Sequence, residues 1–190
     1  MDAVTAAFAV TPRERFLPEH LRSRAGYDGP LDIGHGQTSS QPRTVAAMLH
    51  LLQVRAGDRV LDVGSGSGWT TALLACLTGP TGRVQGVEVV PELVEVGARN
   101  LAGTDRPWAG IQQAADGVLG LPDEAPYDRI LVSAQARSLP EELVAQLGAG
   151  GRMVIPVAGT MLLLVRTEEG VTEEGVTVTR HGQYRFVPLV

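Results

Sequence analysis

Residues 61–68 (LDVGSGSG) hold the pattern with the clearest chemistry. Gly64, Gly66 and Gly68 alternate with serines, directly after an apolar run and directly before a helical pattern. Glycines let a backbone turn sharply and let a ligand approach main-chain atoms. A dinucleotide loop needs G-x-G-x-x-G, and Trp69 stands where its third glycine belongs. A phosphate loop needs Gly-Lys-Ser/Thr, and all 16 basic residues are arginine. Asp62, just before the loop, is poorly placed for a pyrophosphate and well placed for a ligand bearing an ammonium and a sulfonium. Glu88, at the end of the next apolar run, can accept from both ribose hydroxyls. Asp116, after a third run, is within reach of an adenine amino group. Three acids at three successive strand ends, plus G-x-G-x-G, fit S-adenosylmethionine. The plain alternative is a strand-to-helix turn with surface acids.

A second segment, residues 33–42 (IGHGQTSSQP), sits in a stretch rich in Gly, Pro, Asp and Ser that reads as a long loop over 25–40. Long loops in compact domains are often functional. Ser40 could simply cap a helix opened by Pro42. His35, between two glycines, is equally open to a structural reading.

The elements that position these residues follow from the periodicity. Residues 3–9 and 13–24 read as helices, and Val45, Met48, Leu49 and Leu52 give a helix from Pro42. Strands at 59–63, 83–89, 111–115, 127–133 and 152–156 alternate with helices at 69–78, 91–101 and 140–147. That rhythm predicts a doubly wound α/β fold with a mostly parallel sheet. Runs at 161–166, 175–180 and 185–189 have no helix between them, which predicts an antiparallel C-terminal edge.

The 190 residues suit one domain: N-terminal helices and loop over 1–55, an α/β core over 56–157, and C-terminal strands over 158–190. The formal net charge of −5 argues against a phosphate-backbone binder. Cys76 is the sole cysteine, so no disulfide can form within the chain, and no Cys/His cluster has zinc spacing. No stretch approaches the roughly 18 apolar residues of a spanning helix, and the first residues lack a signal pattern. A cytoplasmic, metal-free protein without membrane or nucleic-acid partners is expected.

Residues 33–42 resemble the G-[HF]-G-Q-T-I-S-Q-P segment of the protein-L-isoaspartate O-methyltransferases. Residues 12–18 (PRERFLP), 57–62 (GDRVLD), 64–68, 121–128 (LPDEAPYD), 150–157 (GGRMVIPV) and 185–189 (RFVPL) resemble further motifs of that family, in family order. The resemblance implies a class I, Rossmann-like S-adenosylmethionine-dependent methyltransferase. It would methylate the α-carboxylate of L-isoaspartyl residues in damaged proteins or peptides, and the ester would then close to a succinimide. By motif position it implies Ser40 as the active-site serine, with Thr38 beside it. It implies Asp62, Gly64, Glu88 and Asp116 as cofactor residues, with Gly117 completing an Asp-Gly pair. Gln37, Ser65, Gly66, Gly68 and Val89 fill out the expected cofactor set.

Some positions depart from the family pattern. Ser39 stands where Ile is usual, and Arg137 is unusual within residues 133–140 (SAQARSLP), either as a solvated charge or as a contact to an acidic substrate. Residues 157–161 are shorter than the family's stretch, and the chain stops one residue after Leu189, so family contacts beyond that point are expected to be absent. These departures bear on the substrate. They keep two other readings open: an aspartate methyltransferase that installs an aspartimide in a ribosomally made peptide, and a cofactor-binding module without catalysis.

Overall fold

The computed structural model describes residues 2–167 and 175–190. A seven-stranded sheet runs through it. Its strands are β3 (Arg59–Val63), β4 (Arg83–Glu88), β5 (Ala109–Gln113), β6 (Tyr127–Val132), β7 (Leu147–Val157), β8 (Thr160–Arg166) and β9 (Val176–Gln183). The order is β5-β4-β3-β6-β7-β8-β9. The first five are parallel, and β8 and β9 add the antiparallel edge. A separate hairpin pairs β1 (Leu31–Gly34) with β2 (Gln37–Ser39). The α-helices are α1 (Ala3–Val10), α2 (Pro42–Leu52), α3 (Trp69–Thr78), α4 (Pro91–Ala102) and α5 (Glu141–Ala145).

Both faces of the central strands are covered, which explains their nearly unbroken apolar runs. Val60, Leu131 and Val154 pack into one core, with α1, α2 and α3. Leu61, Val63, Ile130, Val132, Met153 and Ile155 pack into the other. Successive strand residues point to opposite faces, so Asp62 shares the face of Val60 and looks toward α3. No helix of the described residues is long and apolar enough to cross a membrane.

Several elements differ from the sequence expectation. Residues 13–24 form two 3₁₀ segments, Arg13–Phe16 and Glu19–Arg24, with Pro18 between them. Proline lacks an N–H and clashes with the preceding turn, so one continuous helix cannot form there. The expected loop over 25–40 contains the β1–β2 hairpin, turned by Gly34, His35 and Gly36, all at positive φ. Residues 185–189 form no strand; they run beside Gln135 through a single parallel bridge at Pro188.

Loop and helix also meet backbone to backbone. Gly68 has φ +89°, and a Cβ there would lie 2.9 Å from Gly97 O; a Cβ on Gly97 would lie 2.7 Å from Gly66 O. Alanine at a helix-interior glycine normally gains about 1 kcal/mol. Here the overpacking cost of about 1–3 kcal/mol outweighs that gain. Gly97→Ala is therefore expected to lower Tm in thermal unfolding and to weaken ligand binding at the loop, by displacing Gly66.

Candidate active site

The glycine loop lies where β3 has β4 on one side and β6 on the other, at the carboxyl edge of the sheet. Open parallel sheets bind ligands at such points. Main-chain bonds fix the loop: Gly64 N and Ser65 N both donate to Val87 O, at 2.9 and 3.1 Å. From α4, Asn100 Nδ2 donates to Ser67 O at 3.0 Å.

Glu88 is the loop's main side-chain anchor. Its carboxylate, in a residue 5% exposed, accepts from Gly66 N at 2.8 Å through Oε2. Oε1 accepts from Val89 N at 2.8 Å and Val90 N at 3.0 Å. A carboxylate offers about four acceptor positions. Oε1 is thus fully engaged, and Oε2 can take one further donor. A two-oxygen grip on a ribose, as the sequence suggested, requires Val89 or Val90 N–H to let go.

Asp62 is fully buried. Its Oδ2 accepts from the hydroxyls of Thr70 and Thr71, at 2.8 and 2.7 Å. Strand parity turns it under the loop, so it stands behind the cavity wall rather than in it. Asp62 Oδ1 and Ser65 Oγ are buried without a partner among the described residues. An orphaned carboxylate oxygen beneath a glycine loop suits a cationic ligand, and S-adenosylmethionine fits that requirement.

Burial raises the Asp62 carboxyl to about 6, against the lowering pull of the Thr71 and Thr70 hydrogen bonds and with Glu88 adding to the rise. The unfolded chain ionises this group near its ordinary 3.8. Between those values the native state holds a proton that the unfolded state has released. The group's contribution to stability is therefore full below the unfolded value and is lost as pH climbs to about 6. A cation bound near Oδ1 favours the carboxylate and expels the proton. Affinity for S-adenosylmethionine should rise between about pH 5 and pH 6.5 and then level off. Titration calorimetry in buffers of different ionisation enthalpy should detect proton release near pH 5.5 and none near pH 8.

The cavity in front of the loop is lined by Gly64, Ser65, Gly66, Ser67, Glu88 and Val89 on the loop side. Gln37, Thr38, Ser39 and Ser40 line it on the hairpin side. The structure thus brings most of the sequence-derived residues to one space. Gly68 packs against α4 instead. Asp116 and Gly117 are exposed and lie in an adjoining open cleft with Arg137. The reason is the shift of the third strand to Ala109–Gln113, which leaves Asp116 three residues beyond its end.

Ser40 is half-buried, and its hydroxyl enters no hydrogen bond among the described residues. It does not cap α2. Gln41 is the cap residue and contributes no side-chain cap bond, while Asp28 accepts from Arg43 N at 3.0 Å. The helix-cap alternative for Ser40 is therefore not what the structure displays.

Sequence reasoning assigned no site role to other parts of the wall, among them Ile33, Ser133, Ala134, Val118, Leu119 and the tail from Val187 to Val190. Gln135 N donates to Val187 O at 2.7 Å, and Leu189 N to Gln135 O at 2.8 Å, which holds the tail against the cavity. Trp108 is a packing residue whose Nε1 donates to Ala75 O at 2.9 Å. His35 Nδ1 lies 4.0 Å from a Glu92 carboxylate oxygen, at the exposed hairpin turn. Among the described residues, no group of three or more His, Cys, Asp or Glu is placed to hold a metal ion.

Comparison with known proteins gives consistent matches. The family model for protein-L-isoaspartate(D-aspartate) O-methyltransferase (PCMT) matches residues 1–190. A protein-L-isoaspartate O-methyltransferase of Methanopyrus kandleri is 46% identical over 193 residues, covering 100% of this chain and 84% of the relative. A solved structure of a protein-L-isoaspartate O-methyltransferase superposes with TM-score 0.85 at 27% identity; the alignment takes in 100% of this chain and 62% of that one. A Plasmodium falciparum structure, described as a protein-L-isoaspartate O-methyltransferase in complex with S-adenosyl-L-homocysteine, gives TM-score 0.84 at 28% identity, over 100% of this chain and 91% of that one.

Proposed function

The chain belongs to the protein-L-isoaspartate(D-aspartate) O-methyltransferase family of S-adenosylmethionine-dependent enzymes, and we propose that it methylates the free α-carboxylate of L-isoaspartyl residues in proteins or peptides. One observation carries the reading: the glycine loop with Glu88 and the hairpin segment from Gln37 to Ser40 line a single cavity. The class I methyltransferase fold belongs to its structural relatives as well. Neither an aspartimide-installing role nor a silent binding module draws support from the relatives.

S-adenosylmethionine, when bound, supplies a methyl group on a positively charged sulfur. In the proposed assignment Glu88 and the main chain of Gly64, Ser65 and Gly66 hold it, with Val89 at the rim and the charge of Asp62 behind the loop. Asp116 and Gly117, which line the adjoining cleft, would extend the cofactor-holding set. Ser40 Oγ donates to the substrate carboxylate, and Thr38 and Gln37 flank it.

The nucleophile is the substrate's own carboxylate, whose intrinsic pKa near 4 leaves it ionised at neutral pH. No general base is required. The methyl group that S-adenosylmethionine would supply would be accepted by one carboxylate oxygen, with a methyl ester and S-adenosylhomocysteine as the products. The backbone nitrogen after the ester can then close a succinimide with loss of methanol. The protein's task is alignment, which can supply roughly 7–11 kcal/mol.

The test is transfer of labelled methyl from S-adenosylmethionine to an isoaspartyl peptide, with its aspartyl twin as control. Labelling of the isoaspartyl form alone is the expected result. Labelling of neither, with cofactor bound, would refute the substrate assignment.

A further inference from the structure

Arg13 lies outside the cavity wall, yet it is tied to both loops that form it. The residue is 5% exposed. Its Nε donates to Ser39 Oγ at 3.0 Å and its Nη2 to Ser39 O at 2.8 Å. Nη2 also donates to Gly29 O, and Nη1 to Tyr27 O, both at 3.0 Å. Its guanidinium carbon lies 5.4 Å from the centroid of Trp69, the first residue of α3 after the glycine loop. Trp69 Nε1 in turn donates to Thr11 O at 3.0 Å, two residues before Arg13. Every acceptor of Arg13 is neutral, and no carboxylate forms an ion pair with it among the described residues.

A buried arginine whose hydrogen bonds all go to neutral oxygens is costly to keep, even with Asp28 acting on its charge from beyond ion-pair distance. The Arg13 arrangement is specific: a planar fork fastens the two chain segments that lead into and out of the hairpin, at Tyr27–Gly29 and at Ser39. Ser39 adjoins Ser40. We propose that Arg13 is a positioning residue for methyl transfer: through Ser39 it sets the Ser40 segment against the cofactor loop and keeps a positive potential behind the substrate carboxylate. Ser39 is its specific partner, because its hydroxyl satisfies the Nε–H that an aliphatic residue would leave buried and unpaired. The role of Ser40 in this proposal rests on the functional reading above.

The test compares Arg13→Lys, Arg13→Met, Ser39→Ala and the double variant Arg13→Lys/Ser39→Ala with the wild type, well below each Tm. Lysine keeps the charge but cannot span three carbonyls and a hydroxyl as a fork does. Both Arg13 variants should lose at least about tenfold in kcat/KM for an isoaspartyl peptide, while cofactor Kd stays within about twofold. Arg13→Lys should fall less than Arg13→Met, because only the lysine retains the potential. Ser39→Ala should lose about threefold, and the double variant should be no worse than Arg13→Lys alone, because the two act as one unit. Amide exchange over residues 37–41 should accelerate in every variant. Wild-type kcat/KM per folded molecule, whatever the loss in Tm, would reduce Arg13 to a structural residue and overturn the proposal. An equal fall in cofactor and peptide affinity would do the same. If the wild type itself leaves the isoaspartyl peptide unlabelled, the functional reading fails separately, and the exchange rates still decide: unchanged exchange at 37–41 refutes Arg13 as the anchor. Should Arg13→Met fail to fold, Ser39→Ala removes only one oxygen and carries the comparison.

Discussion

Replacing Glu88 by alanine is expected to weaken S-adenosylmethionine binding by about 100-fold and to lower Tm by several degrees. The side chain holds Gly66, Val89 and Val90 through their N–H groups, in a place nearly closed to water. An orphaned buried donor costs about 1–3 kcal/mol. Part of that cost falls on the free protein and appears as lost stability. The rest falls on binding, because the loop is no longer preset and the remaining acceptor position on Oε2 is gone. Glu88→Gln separates the two effects. Its carbonyl oxygen can still accept from Val89 and Val90, but its amide turns a donor toward Gly66 N–H. Most of the Tm should return, while Kd stays about tenfold weaker. Calorimetric Kd and thermal unfolding of both variants check this. Kd within threefold of wild type for Glu88→Ala would mean that the residue braces the loop without holding the ligand.

Much of this site was legible because glycine spacing and strand rhythm survive in the linear sequence. Gly64 and Gly66 fall, as their spacing predicts, in the strand-to-helix turn at the parallel sheet's carboxyl edge, both at positive φ. What failed to show has physical causes. The direction of the Asp62 side chain could not be read, because β3 is apolar on both faces, which erases the period-two signal that would tell which way each residue points. The third strand, Ala109–Gln113, is a half-exposed AGIQQ edge with little pattern, so its end, expected at residue 115, falls at Gln113. The hairpin strands are four and three residues long, too short for periodicity to register. Pro18 did mark the break between the two 3₁₀ segments, and helical spacing around it obscured the signal. Arg13 was invisible as a buried residue, because arginine is ordinarily a surface side chain. Gly97 carries no signal in the sequence, and its approach to Gly66 O explains a glycine inside α4.

Ser40→Ala should cut kcat by about 10- to 100-fold while leaving cofactor Kd and Tm close to wild type. The reasoning begins with what Ser40 does not do. Its hydroxyl caps no helix, since α2 starts at Pro42 behind Gln41 and takes its N-terminal acceptor from Asp28. Losing the oxygen therefore leaves no backbone group unsatisfied, and the fold has no reason to respond. Ser40 instead lines the hairpin side of the cavity that Glu88 and the glycine loop also line. A hydrogen bond from a neutral hydroxyl to a carboxylate is worth about 1.5–3 kcal/mol. Most of that is felt in the aligned state, where a rotated carboxylate is unproductive. If the bond instead held ground state and transition state alike, KM would rise and kcat would not change. The kcat–KM split thus distinguishes alignment from simple binding. Ser40→Thr keeps the donor at the expense of one added methyl in the cavity, and should retain more activity than alanine. Steady-state kinetics on an isoaspartyl peptide, with calorimetric cofactor binding on the same samples, makes the comparison. An unchanged kcat in Ser40→Ala would remove Ser40 from the reaction and leave Thr38, the neighbouring exposed hydroxyl on the same wall, as the group to test.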